Sequence, residues 1–162
     1  MAKLCVFTGH RVLPRDQLPL RWALMREMER LTGEGCTDFA SGGALGFDLL
    51  AAELTLELRE LRPEVRLLMV LPCPEQDRRW PAEERRRYAE VLARADLVRY
   101  TSDRYYPGCM LARDRTLAEA ADCCLCFLTH GNSGTAYTVR QALLRDVPVI
   151  NLAEKMTSYP TL

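Results

Sequence analysis

Short apolar runs alternate with longer segments in which apolar residues recur every three or four positions, from one end of the chain to the other. Lys3 to Thr8, rich in Val and Phe, predicts a first strand. Leu20, Ala23, Leu24, Met28 and Leu31 then trace one face of a helix that begins at Asp16 or Gln17 and closes at Gly33 and Gly35. Asp38 to Ser41 is a short second strand, and Asp48 to Leu61 is a helix ended by Pro63. Val65 to Leu71 is apolar except for Arg66, as in a strand buried on both faces of a parallel sheet. A charged helix over 83–95, a strand over 96–101, a helix over 110–121, a strand over 123–128, a helix ending near Arg145 and a strand over 147–152 complete the pattern. The tail after Ala153 reads as irregular, and there are no repeats or linkers.

Strict alternation of strand and helix predicts one α/β domain, three layers thick. Its sheet is mainly parallel, of about six strands, with helices on both faces. Ligands of such sheets bind outside the carboxyl ends of the strands, where strand order reverses. Gly9-His10-Arg11, Ser41-Gly42-Gly43-Ala44-Leu45-Gly46-Phe47-Asp48, Pro72-Cys73, Ser102 and Gly131-Asn132-Ser133-Gly134-Thr135 all fall at those ends and should share one rim. Two of these stretches have the order strand, glycine loop, helix. Glycine lets backbone approach a phosphate closely, and the N–H groups of a helix start favour negative charge. Helix capping by Ser133 or Thr135 is compatible with that role.

The composition narrows the partners. Twenty-two basic residues balance twenty-two acidic ones among 162, so no global field attracts nucleic acid or anionic membrane, and any anion site must be local. The apolar run after Met1-Ala2-Lys3 is too short for a signal-peptide core, and no apolar run is long enough to span a bilayer. A cytosolic protein is expected. Seven cysteines without scaffold spacing, alternating in direction along Cys123-Cys124-Leu125-Cys126, and only two histidines argue for buried thiols and for no metal site.

Arg11 follows a strand directly, and Arg113 falls in a predicted first helical turn, where a cation is disfavoured unless an anion is near. Both are candidates to neutralise a phosphate. Asp48 could accept hydrogen bonds from ribose hydroxyls, and Asp48 and Glu53 are the candidate catalytic carboxylates. Cys73 at a strand end has no histidine placed near it by sequence, so a nucleophilic role is not favoured. The arginines at 85–87 read as a solvated helix face.

Thr8-Gly9-His10-Arg11, the 41–48 loop, Pro72-Cys73 with Gln76 and Trp80, Met110 with Arg113-Asp114, and Gly134-Thr135 recur in that order. In this the chain resembles the YpsA-type branch of the SLOG superfamily, over roughly residues 3–151. That superfamily includes the DNA-processing protein DprA and the Lonely Guy enzymes. The resemblance implies a Rossmann-like fold binding a nucleotide or nucleotide derivative, with Gly46 and Asp48 in the pocket and a link to bacterial cell division as one known role of the branch. Lonely Guy enzymes cleave the bond between base and ribose phosphate in nucleoside monophosphates, with the fingerprint Pro-Gly-Gly-x-Gly-Thr-x-x-Glu. Here the matching positions run from His130 to Thr138, so Thr138 stands where the glutamate would be.

The expected function is recognition of a nucleotide or ADP-ribose-like ligand by Gly9, His10, Arg11, Ser41, Gly42, Gly43, Gly46, Asp48, Arg113, Gly131, Asn132, Ser133, Gly134 and Thr135, in a sensor or regulator. The alternative is an N-glycosidic-bond-cleaving phosphoribohydrolase using Asp48 or Glu53. A third class is a protein-interaction module with a vestigial pocket. DprA raises nucleic acid as a ligand, which the balanced charge disfavours. A homodimer and a protein partner are left open.

Overall fold

A computed structural model describes residues 2–131 and 133–156. Six strands, β1 (Lys3–Gly9), β2 (Cys36–Ser41), β3 (Arg66–Leu71), β4 (Leu97–Tyr100), β5 (Cys123–Phe127) and β6 (Val149–Asn151), form one sheet in the order β4-β3-β2-β1-β5-β6. Every pairing is parallel. The connecting helices are α1 (Leu18–Gly33), α2 (Phe47–Leu61), α3 (Ala82–Arg94), α4 (Cys109–Ala120) and α5 (Gly134–Leu144), and a short α6 (Leu152–Lys155) follows the last strand. The parallel α/β architecture expected from the alternation, and the Rossmann-like fold that the resemblance implies, are the observed ones.

The strand period of two divides the core between the two faces of the sheet. On one face Cys5, Phe7, Phe39, Cys123, Leu125 and Phe127 pack with apolar residues of α1, α2 and α6. Further along that face Leu67, Met69 and Leu71 meet α2 and α3 through Leu49, Leu56, Tyr88 and Val91. On the other face Val6, Ala40, Cys124 and Cys126 pack with Leu117 of α4 and Val139 and Ala142 of α5. The cysteines of β5 therefore point alternately to opposite layers. All seven are buried and free, with Cys36 and Cys123 sulfurs 3.8 Å apart across β1.

Strand β2 begins at Cys36 rather than Asp38, and β6 spans only Val149–Asn151 of the expected 147–152; two further departures have identifiable causes. The segment after β6 forms a helical turn rather than an irregular tail, because Asn151 accepts a hydrogen bond from the Ala153 N–H at 3.1 Å and Leu152 is fully buried. Helix α4 begins at Cys109, after Gly108 in a left-handed conformation, which moves Arg113 out of the first turn. The arginines of α3 are paired rather than merely solvated: Arg85 with Asp77, Arg86 with Glu83 and Glu90, and Arg87 with Glu53.

Candidate functional site

Strand order reverses between β1 and β5, since β1 connects away to β2 on one side while β5 and β6 lie on the other. At the carboxyl ends of these two strands opens a cavity of about 680 Å³, within the usual range for a small-molecule site. Gly9, His10 and Arg11 enter it from β1, Asp48 from α2, Arg113 from α4, and Ser133, Gly134 and Thr135 from the start of α5.

The β1 side is held by packing. Phe47, fully buried between Phe7 and Phe127, lies directly over the Cα of Gly9, so a Cβ there would overlap its ring. The Phe47 N–H donates to the His10 carbonyl at 3.1 Å, tying the β1 loop to the start of α2. His10 Nε2 accepts from the Thr129 N–H at 2.9 Å, which requires an unprotonated Nε2 and places the ring proton on Nδ1. Burial and the neighbouring His130 both push its pKa down, consistent with a neutral ring. His130 stacks on it, the two rings nearly parallel with centroids 3.9 Å apart.

The central glycine loop does something other than cradle an anion with its amides. Its Gly43 N–H donates to Ser41 Oγ at 3.1 Å, while Ser41 Oγ donates to the Asp48 carbonyl at 2.8 Å. The Ala44 N–H lies close enough to the Asp48 carboxyl to lower its pKa, and the Phe47 N–H donates to the His10 carbonyl. What the loop brings to the cavity is Ala44 and Asp48. Ser41, Gly42, Gly43 and Gly46 do not line it; Gly42 and Gly43 press against Arg113 and against Leu71, and Gly46 against the Arg11 backbone. Gly131 is also off the cavity wall, and Asn132 lies outside the described residues.

Asp48 is the electrostatic centre. It is only 7% exposed, and its Oδ1 has no hydrogen-bond partner among the described residues. Burial pushes its pKa up to about 7; Arg113 pulls it down, Asp114 raises it, and the Ala44 N–H and Arg11 pull it down further. A buried carboxylate oxygen without a donor is costly, and such orphans in a well-packed fold mark sites completed by something else.

Arg113 is buried and already engaged: Nε donates to Asp114 Oδ1 at 2.7 Å, and Nη1 to the Gly42 carbonyl and, at 3.4 Å, to Gln76 Oε1. Gln76 Nε2 in turn donates to the Gly42 carbonyl at 3.2 Å and to the Tyr88 hydroxyl at 3.1 Å. The cation in α4 thus owes its place to Asp114 and the Gly42 carbonyl. Arg11 makes no side-chain hydrogen bond or ion pair among the described residues, leaving it free to meet a ligand.

Helix α5 supplies the donors. Ser133 caps it, its Oγ accepting from the Ala136 N–H at 3.1 Å. The Gly134 and Thr135 N–H groups stand at the positive end of an 11-residue helix, on the cavity wall. Thr138 donates back to the Gly134 carbonyl at 3.0 Å and brings no carboxylate. Glu53 is turned away from the cavity, held by Arg87 Nε at 3.0 Å. Thr129, His130 and Asp114 line the cavity without having been singled out as ligand contacts. The signal for the histidine was its place immediately before the second glycine loop. Cys73 is buried, and burial raises its thiol pKa, so the thiolate is scarce. Iodoacetamide at pH 7.5 is therefore expected to leave Cys73 of the folded protein unmodified, as peptide mass mapping would show, and to alkylate it after denaturation.

Fold and crevice together define a doubly wound, Rossmann-like α/β protein with its cavity at the β1/β5 switch point. The YpsA family model, described as the YspA SLOG family, matches residues 4–146, and the chain belongs to that family. A UPF0398 protein of Bacillus pumilus is 25% identical over 98% of this chain and 85% of its own length. That of Halalkalibacterium halodurans is 32% identical over 55% of this chain, and the match spans about half, 47%, of that relative. Among solved structures, DNA processing protein A from Helicobacter pylori, described for its single-stranded DNA binding mode, superposes with a TM-score of 0.67 at 20% identity, covering 96% of this chain and 72% of that one. The Streptococcus pneumoniae DprA gives 0.63 at 17% identity, covering 91% of this chain and 49% of that one. Among the described residues no helix is long and apolar enough to cross a membrane.

Proposed function

We propose that the protein binds a nucleotide-derived ligand in the β1/β5 cavity and acts as a sensor or regulator. The observation that carries this is the pairing of opposite demands across one cavity. The α5 start offers Gly134 and Thr135 N–H groups suited to a phosphate, and Asp48 offers a buried oxygen lacking a donor, suited to a ribose hydroxyl. Arg11, which lines the same cavity, supplies unpaired positive charge. Membership of a SLOG family is consistent with a nucleotide-related role. Cleavage of an N-glycosidic bond is less well supported, because Thr138 stands in the place of the glutamate and Glu53 is sequestered by Arg87. The DNA binding described for the Helicobacter pylori neighbour has weaker support here than a small nucleotide, given the even charge balance.

A thermal-shift panel of nucleoside mono- and diphosphates, nicotinamide nucleotides and ADP-ribose tests the reading. A ligand at a hundred times its Kd adds about 2.7 kcal/mol, which raises Tm by about 5–10 °C for a chain of this size. Asp48→Asn should weaken the responding ligand about tenfold at pH 8, the scale of one hydrogen bond to a charged group. A panel that moves Tm nowhere overturns the proposal.

A further inference from the structure

A second cavity of about 430 Å³ adjoins the first, and Arg11 and Met110 line both. Its other walls include Trp80, Tyr105, Arg78 and Arg79. Trp80 is half-buried and fixed by an edge-to-face contact with Tyr88 at 4.9 Å. Tyr105 is exposed, with its N–H held by Glu75 at 2.8 Å. Neither Arg78 nor Arg79 makes a side-chain hydrogen bond or ion pair among the described residues, whereas every arginine of the adjoining run at 85–87 is paired. Two flat aromatic side chains and two uncommitted guanidinium groups around one concavity suit an aromatic ring carrying polar edges, since stacking on Trp or Tyr and on Arg is tolerant of ring identity.

We infer that the ligand has two parts joined by a diphosphate: a ribose phosphate in the first cavity and a nucleoside in the second, with the bridging phosphate beside Arg11. This rests on the nucleotide reading above and narrows it. The first cavity has what a ribose phosphate needs, an N–H pair on α5 and the Asp48 carboxyl. Arg11, the free cation common to both cavities among the described residues, lies where the second phosphate must pass. Of the two cavities, the second is the one walled by aromatic rings of Trp and Tyr. A polymer is less suited than this, because Glu75 sits among the second cavity's walls and the chain as a whole carries no excess positive charge.

Ribose 5-phosphate, AMP, ADP-ribose and a short oligothymidylate are titrated calorimetrically into the full chain and into Arg79→Glu and Tyr105→Ser, both changes at the second cavity. A Trp22→Phe version leaves Trp80 as the single tryptophan, so its fluorescence reports on the second cavity alone. The expected result is ADP-ribose binding at least about tenfold tighter than ribose 5-phosphate, the worth of one stacked base. It should quench Trp80, and both variants should shrink the tenfold gap. Equal affinities for ribose 5-phosphate and ADP-ribose, with Trp80 unmoved, overturn the two-part ligand while sparing the nucleotide reading. Tightest binding by the oligothymidylate overturns it in favour of a nucleic acid, and silence from all four probes removes both proposals.

Discussion

Asp48→Asn is expected to be more stable than the parent protein at pH 8, and the advantage should shrink as the pH falls. The carboxyl's folded pKa is raised to about 7 from an ordinary value of 3.8, chiefly by burial. A raised carboxyl pKa means the folded state holds its proton where the unfolded chain has lost it. Its stabilising share is therefore full below the unfolded value and is lost as pH climbs through about 7. At pH 8 the parent must keep an ionised oxygen buried without a donor; the asparagine need not. At pH 5 the protonated acid and the amide are near-equivalent neutral groups. Over pH 5 to 8 the difference in unfolding free energy should widen by about 2–3 kcal/mol, because each tenfold difference in proton affinity between the folded and unfolded chain is worth about 1.4 kcal/mol. Urea denaturation of both proteins at the two pH values measures it. A constant difference would mean that Asp48 is not the buried titrating group.

The same residue links stability to ligand. A hydroxyl donating to Asp48 favours the ionised carboxylate, so ligand affinity should rise from pH 6 to pH 8 while the empty protein loses stability over that interval. An unstable group retained at the wall of a cavity is the usual cost of a preorganised site.

The layered fold was legible because short apolar runs alternate with segments in which apolar residues recur every three or four positions. That neighbouring thiols of the Cys123 run face opposite layers was legible as well, while which layer each one faces was not. That the β1 and α5 loops lie at carboxyl ends was legible from the alternation of strand and helix; that these two, of the five loops expected on one rim, line the same cavity follows from the strand order, which the sequence does not show. The division of labour between the glycine loops was not legible either. The Ser41 side chain takes the Gly43 amide through a local turn that glycine spacing alone does not announce, and the Phe47 amide is taken by the His10 carbonyl, a partner 37 positions away that only tertiary packing supplies. Arg113 was misplaced by one helical boundary, and its partner, the Gly42 carbonyl, lies 71 positions away. The second cavity escaped notice because Trp80 and Tyr105 come from separate loops with no shared pattern.

Gly46→Ala should be strongly destabilising, although Gly46 does not itself line the first cavity. Its φ of +82° with ψ of −120° belongs to a region that residues with a Cβ scarcely enter, and an added Cβ would run into the backbone carbonyl of Arg11. Backbone cannot step aside as a long side chain can, so strain of about 1–2 kcal/mol adds to overpacking of about 1–3 kcal/mol. A loss of about 3 kcal/mol lowers Tm by about 6–12 °C at this chain length. Relief comes most readily by pushing the β1 loop outward, which carries His10 and Arg11 off the cavity, so ligand affinity should fall along with stability. Gly134 offers the contrast: a Cβ there meets only Asp114 Oδ2 at 3.7 Å, an ordinary contact, and φ is not positive. Gly134→Ala should therefore stay within about 1 kcal/mol of the parent and yet weaken a phosphate-bearing ligand, because the methyl group crowds the start of α5 where the oxygens would lie. Thermal melts with calorimetry on both variants separate a glycine that holds the frame from one that leaves room for the guest. Equal stability losses in the two would mean that the loops do not divide the work in this way.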